Sequence, residues 1–445
     1  MQVRRRLSAL VSLCAPLFLA SSLANPAHAQ VTGVPVPELA RFDTLMLSYM
    51  RSAGLNDGVL GVMKDGVIVY QRGFGTWENT PMRTASVEKP ITAAAIRALG
   101  IGLDRKVFNL NGNGGLLPYI PWPSLGDERL EDVTIRHLIA HTGGWDRDVF
   151  GDPMFMSVQI ANEMGLTAPA NRVLTLQWML GQELQNDPGS TYAYSNFGYM
   201  CLGMIVELLS GMNHADYIKS AVLTQWDWIP WTELYAASTL QGTQHFREPT
   251  YYGGTGCTNV YNVGGPSVPC AYGAFPVENF VGHGHLVSSA APLLEFADRF
   301  IVWGQNSGAP WTSTSSASHT GGMSGTSTIL SQRSDDIHVV VLFNGSDPSS
   351  GSHAANAANL IYNEIDNTTI TWPTESVDGF WINFGSGSSG IGSYDNSFTS
   401  VTEALSWTAD GTKLRFRPGS SGSWSGTITQ RVLMDAPFGS AVIGD

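Results

Sequence analysis

Apolar residues recur at helical spacing through Leu39, Phe42, Leu45, Met46 and Tyr49, which predicts an amphipathic helix ending near Gly54. The pattern then turns strand-like over Gly58 to Met63 and Val67 to Gln71, joined through Asp65-Gly66, a hairpin signal. From Val87 to about residue 240 helical patterns dominate, among loops rich in Gly, Pro and Asn. Leu286 to Trp303 holds a further helix. Strand candidates follow at Thr326–Leu330 and Ile337–Phe343, around a turn at Arg333-Ser334-Asp335-Asp336, and Ser352 to Ile365 closes this part with an alanine-rich helix. Helix, strands, helices, strands, helix in that order predict an α+β fold: an antiparallel sheet flanked by helices, with an inserted, mostly helical lobe.

The pattern weakens after Trp372-Pro373, where the chain becomes turn-rich and serine-rich, with strand-like pieces at Gly379–Phe384 and Lys413–Phe416. A boundary near residue 371 divides a main domain, 30–370, from a small β-rich module, 371–445. Before both, Arg4-Arg5-Arg6, the apolar run Leu7 to Ala24 and the small-x-small Ala27-His28-Ala29 read as a signal peptide over 1–29. The expected destination is the periplasm or the extracellular space. No other stretch is long and apolar enough to span a bilayer.

Charge narrows the partners. The 445 residues carry a formal −13, only 14% are Asp, Glu, Lys or Arg, and no basic block occurs, which argues against nucleic acid. With 49 glycines and 23 prolines the chain is no coiled coil. In an oxidising compartment Cys257 and Cys270, bracketing a Gly/Pro-rich loop, are able to close as a disulfide; Cys201 sits in an apolar helical pattern as a buried thiol.

Five lysines occur, and Lys89 alone has a serine three residues before it, Ser86. On a helix beginning at that serine the two side chains share one face. Ser86 then lies at the positive helix end, and a desolvated Lys89 amine is able to take its proton. The same four residues also suit an N-capping serine with an exposed lysine. Tyr194 and Asn196 stand two apart in a run read as non-helical, so both side chains point the same way. A phenol there relays a proton, and a carboxamide holds a substrate amide. The third element is His319-Thr320-Gly321-Gly322, leading into a strand: His319 and Thr320 suit a carboxylate or leaving group. The glycines admit substrate backbone, and an N–H after Gly321 is an oxyanion donor. A second copy, His141-Thr142-Gly143-Gly144, follows a helical pattern and reads as structural, ending a helix at a turn.

Together these elements resemble the serine β-lactamase and penicillin-binding superfamily, and within it the class C β-lactamase-like branch with its D,D-carboxypeptidases, D-aminopeptidases and esterases. The likeness covers roughly residues 38–366. It rests on Ala85-Ser86-Val87-Glu88-Lys89-Pro90, Ile135-Arg136-His137-Leu138 with His141-Thr142, Tyr194-Ser195-Asn196-Phe197-Gly198-Tyr199, and Gly284-His285-Leu286-Val287-Ser288-Ser289. The resemblance implies Ser86 as nucleophile, Lys89 and Tyr194 as acid/base partners, and Asn196 as substrate ligand. Backbone N–H groups of Ser86 and Gly322 would form the oxyanion hole, with acyl transfer and hydrolysis needing no cofactor. The family's usual lysine is here His319, a weaker fixed cation. A D-amino-acid peptide, amide or ester therefore ranks above a β-lactam as substrate, a peptidoglycan-derived peptide among the possibilities. The alternatives are a β-lactamase, or a penicillin- or peptidoglycan-binding receptor that acylates without turnover. Oligomeric state is open.

Other chemistry is weaker. No Gly-x-Ser-x-Gly occurs, and His283 and His285 have no third ligand spaced for zinc, so they read as turn or cleft-wall residues. Trp226-Asp227-Trp228-Ile229-Pro230-Trp231 suits a cleft lining or a loop anchor. Phe380-Trp381-Ile382, Val401–Leu405 and Thr412–Gly419 resemble the opening coil of a parallel β-helix, which cannot bury its own face unaided. Trp381, Trp407 and Trp424 suggest attachment to a cell wall or glycan.

Overall fold

The computed structural model describes residues 31–223, 232–312, 316–346, 352–408 and 412–444. The leader and the tryptophan cluster at 226–231 lie outside the described residues. Six strands form the main sheet: β1 (Val31–Thr32), β2 (Gly58–Lys64), β3 (Val67–Phe74), β4 (Ala317–Met323), β5 (Thr326–Gln332) and β6 (Ile337–Phe343), in the order β1-β3-β2-β6-β5-β4. Every pairing in it is antiparallel. The Asp65-Gly66 hairpin has positive φ at both residues, 50° and 74°, as a type I′ turn requires.

Alternate residues of the central strands feed two cores. Val59 and Met63 of β2 and Val340 and Leu342 of β6 enter the larger one, whereas Leu60, Val62, Val339, Val341 and Phe343 enter the other. The smaller core is closed by α1 (Ala40–Ala53), through Phe42, Met46 and Met50, and by the last helix of the main part, His353–Asn367, through Ala354, Ala357 and Ile361. Gly54 ends α1 in the left-handed conformation. On the opposite face the helix Ala290–Arg299 lies so close that a Cβ on Gly61 would meet Leu294 at 2.9 Å. A helix buried along its length, α2 (Glu88–Ala98), runs through the larger core, with Glu88 to Ile96 all inaccessible. A long helix, α3 (Asn196–Ser210), is the one of these that α2 packs against.

The C-terminal strands pair differently. Phe380–Ile382 runs parallel to Lys413–Phe416, and that strand runs parallel to Leu433–Asp435. Parallel pairing is what the β-helix likeness calls for. Val401–Ser406, between the first two strands, is a short helix capped by Ser400. These pieces bury a core of their own, including Phe380, Ile382, Phe398, Leu414 and Phe416, and they also dock on the main sheet. Tyr394 N–H donates to Glu78 at 2.6 Å, Gly33 N–H to Asp395 at 3.0 Å, and Val377 N–H to the Ile68 carbonyl at 2.9 Å. Trp381 is 1% exposed, held between Tyr394 and Phe438. That corrects the expectation of a glycan-binding Trp381, since a ring with no free face cannot stack on a sugar.

Two buried carboxyls at this junction carry a pH signature. Burial, reinforced by Asp395 and opposed by the Tyr394 N–H, raises Glu78 to about 7; burial, then Asp378, raises Glu295 to about 7. A folded-state value above the unfolded one means the stabilising contribution is full in acid and is lost as pH rises through 7. Thermal unfolding should therefore show wild type gaining about 1–3 kcal/mol relative to Glu78→Gln when pH falls from 8 to 5.5. An unchanged difference across that range would contradict the assignment.

Candidate active site

The site is built at the free edge of the sheet. Ser86 lies in a 3-10 turn, Ala85–Val87, which runs directly into α2. Ala85 before it has φ 47°, a left-handed conformation unusual for alanine and of a kind that clusters at functional turns. The turn is fixed from several sides. Thr84 N–H donates to the Leu286 carbonyl at 2.8 Å, and Thr328 of β5 donates its hydroxyl to the Thr84 carbonyl at 2.7 Å. Arg83, fully buried, donates to the carbonyls of Ala271 and Ser238 and lies 4.4 Å from the centre of the Tyr251 ring. Edge strand β4 crosses against the turn at Gly321, where a Cβ would meet the Thr84 carbonyl at 2.4 Å and the Thr328 hydroxyl at 2.3 Å. Only glycine permits that approach.

One helical turn after Ser86, Lys89 Nζ donates to Ser86 Oγ at 2.9 Å and to the His283 carbonyl at 3.2 Å. Its side chain is fully buried. Burial pushes the amine down to about 7; the Glu88 and Asp152 carboxylates oppose this, and Arg147 adds to it. An amine this close to neutral exists in both protonation states at physiological pH.

Tyr194 completes the group from the segment before α3. Its hydroxyl lies beside Ser86, and Lys89 Nζ stands 4.8 Å from the ring centre. Burial pushes the phenol up to about 12, so it stays protonated where Lys89 does not. The His141 ring stacks on Tyr194 at 4.5 Å, and the Arg147 guanidinium lies 4.6 Å from it. The second His-Thr-Gly-Gly copy does end a helix, Ile135–Ile139, at a turn, with φ 57° at His141. It also holds the tyrosine segment, because His141 Nδ1 accepts from Ser195 N–H at 3.1 Å.

Asn196 differs from its expected setting. Ser195 caps α3 and Asn196 is the helix's first residue, so the extended run ends at Ser195. The Asn196 amide donates to Asp152 at 2.6 Å, leaving Oδ1 buried and free of a hydrogen-bond partner. On β4, His319 and Gly321 are buried, whereas Thr320 and Gly322 are exposed. His319 is not the weak cation expected. Burial, and then Lys89, lower it to about 3; Nδ1 lies 2.9 Å from the Thr320 carbonyl and Nε2 has no hydrogen-bond partner. A neutral ring donating through Nδ1 presents a bare acceptor at Nε2. Trp303 packs edge-on against it at 4.9 Å. Beside His141 a cavity of about 220 Å³ is lined by Tyr192, Tyr199, Trp303 and Gln305 as well.

Three residues of this site carry no local sequence signal: Asp152 and Trp303 reach it from loops, and Arg147 from the start of the short helix Arg147–Phe150. His285, read as a turn or cleft-wall residue, lies with Glu88 and His214 inside the helical core, ligand atoms within 4.8 Å of one another. Both Glu88 oxygens already accept backbone N–H groups there, as an anion held by donors does. Cys257 and Cys270 are bonded, and their loop is latched to the hairpin after β4 where Ser324 donates to the Gly253 carbonyl. Cys201 is buried and free.

A serine turn, a buried amine and a glycine-bearing edge strand on an antiparallel sheet define a β-lactamase-like fold. The chain belongs to the β-lactamase family: the family model described as Beta-lactamase matches residues 42–363. Penicillin-binding protein 4* of Bacillus subtilis is 30% identical over 181 residues, 37% of this chain and 35% of its own length. Protein flp of Staphylococcus aureus is 24% identical over 194 residues, 41% of this chain and 36% of its own. The chain thus matches about a third of the length of these curated relatives. A class C β-lactamase structure aligns over 75% of this chain and 97% of its own, with a TM-score of 0.52 and 14% identity. D-amino acid amidase from Ochrobactrum anthropi SV3, complexed with L-phenylalanine, covers 74% of this chain and 99% of its own, with a TM-score of 0.53 and 15% identity. These two likenesses are of fold.

Gly321→Ala should leave the protein folded but displace the serine turn. Acylation by p-nitrophenyl acetate, followed by stopped flow, is expected to fall about 10–100-fold; an unaltered rate would show that the contact does not position Ser86.

Proposed function

We propose that this chain is an exported serine hydrolase that works through an acyl-enzyme on Ser86 and cleaves a D-amino-acid peptide or amide, or a carboxylic ester. The observation that carries the reading is the 2.9 Å contact between Ser86 Oγ and a buried Lys89 amine brought down to about 7. Neutral Lys89 takes the Ser86 proton as Oγ attacks the carbonyl carbon. The developing oxyanion is received by the backbone N–H groups of Ser86 and Gly322, the latter on an exposed edge position. Tyr194, protonated at neutral pH, hands its proton to the leaving group and is reprotonated from Lys89. Water then cleaves the ester to Ser86. Asn196 Oδ1, without a partner in the resting site, accepts a substrate amide N–H.

Substrate preference follows from charge. The uncharged His319 supplies no fixed cation where the family's usual lysine would, and Thr320 is left to meet a polar leaving group. The amidase fold neighbour is in keeping with the amide reading. The named penicillin-binding relative keeps one second reading in view, a receptor that acylates and stays acylated. Export is supported by the Cys257–Cys270 bond, since structural disulfides persist in oxidising compartments, and by the leader-like residues 1–29.

Intact mass and turnover separate these readings. With D-alanyl p-nitroanilide or p-nitrophenyl acetate, wild type should turn over and Ser86→Ala should lose at least about 1000-fold in rate. With benzylpenicillin, a lasting Ser86 adduct and no turnover of any ester or amide would favour the receptor. Hydrolysis undiminished in Ser86→Ala would overturn the assignment.

A further inference from the structure

Between the serine and the lysine stands a third ionisable residue that none of the chemistry above uses. Glu88 is wholly buried, and its carboxylate grips the turn 282–286 from inside. Gly282 N–H and His285 Nδ1 each lie 2.7 Å from one oxygen, while the N–H groups of His285 and Leu286 donate to the other at 2.6 and 3.0 Å. The middle of that turn is where the His283 carbonyl accepts from Lys89 Nζ. The far end is Leu286, whose carbonyl receives the Thr84 N–H and hydroxyl. Glu88 therefore closes a ring: serine turn, carboxylate, gripped turn, His283 carbonyl, amine, serine. Gly282 makes the ring tight, with φ +83° and a Cα position where a Cβ would meet the Tyr199 carbonyl at 2.4 Å.

We infer that Glu88 is a positioning residue: through the 282–286 turn it aims the His283 carbonyl at Lys89 Nζ, so that the amine is held by one fixed acceptor and directed at Ser86. This rests on the serine–lysine reading of the site. Three backbone donors and an imidazole hold the carboxylate ionised; burial alone would raise it, yet the His285 charge and hydrogen bond, with His214 and His283, bring it to about 2. Across working pH the grip is constant. A glutamine cannot replace it, because its NH2 would confront the N–H groups of His285 and Leu286, which only an acceptor satisfies.

The groups facing Lys89 set what the loss would do. Besides Glu88 they are Arg147 at the start of the short helix Arg147–Phe150 and Asp152 just after it, His141 from the helix end, Tyr194 and Tyr199, His283 from the gripped turn, and His319 from β4. Release of the His283 carbonyl removes an acceptor that favours the ammonium, so Lys89 deprotonates at lower pH while being less well aimed.

The test is the pH profile of Ser86 acylation by p-nitrophenyl acetate, with adducts located by mass and melting recorded for each variant. In Glu88→Gln the acidic limb should move down by about one pH unit and the plateau fall about 10–100-fold. Glu88→Asp keeps the charge but cannot reach the turn, and should lose a similar part of the plateau. If Glu88→Gln does not fold, Glu88→Asp decides alone. A lowered melting temperature with wild-type plateau and limb in Glu88→Asp overturns the inference, leaving Glu88 a structural anion or a simple field. Wild type forming no Ser86 adduct overturns the serine–lysine reading and this inference with it; wild type acylating normally beside unaffected Glu88 variants overturns this inference alone.

Discussion

Everything at this site depends on keeping one primary amine out of water without leaving it alone. An ammonium taken into a protein interior loses several kcal/mol of hydration unless acceptors replace the water. Lys89 finds the Ser86 hydroxyl, the His283 carbonyl and the nearby field of Glu88 and Asp152. These stop well short of full compensation. The residual cost is what brings the amine toward neutrality, as the proposed proton transfer from the hydroxyl it touches requires.

The fold can be understood as the apparatus for that partial compensation. A buried helix carries the lysine in its first turn and the serine in the 3-10 turn that leads into it, which keeps Lys89 out of solvent. Edge strand β4 approaches through a glycine, and β5 ties the serine turn by a single hydroxyl. Tyr194 is gripped between an imidazole and a guanidinium, which keeps its hydroxyl at Ser86. Buried His141 stays neutral for the same reason that Lys89 is nearly so: burial, compounded by Lys89 and His319, lowers it well below the usual histidine range. A cluster of neutral rings around one titrating amine is a preorganised setting of the kind the proposed acyl transfer needs.

Local order made much of this legible in the sequence. Hydrophobic period gave α1, the β2–β3 hairpin, the β5–β6 pair and the last helix of the main part, because each is decided within a few neighbouring residues. Ser86 and Lys89 were visible because helical spacing puts them on one face. What escaped was set by contacts distant in the chain. Burial of His319 against Trp303 decides its charge, and no property of the His-Thr-Gly-Gly string records that burial. Where the helix around Cys201 begins was hidden, because its cap, Ser195, also suits a turn. Glu88 passed without a reading of its own, because its partners lie almost two hundred residues away. Trp381 looked like a surface aromatic because a short β-rich segment gives little sign of which residues its neighbours cover.

The amine's own titration is the most direct test, and the sequence makes it practicable, since only five lysines would need assigning. With lysine labelled at Cε with carbon-13 in the resting protein, and Lys89→Met identifying its signal, the Lys89 resonance should titrate near pH 7. A Lys89 resonance titrating near 10 would contradict the account.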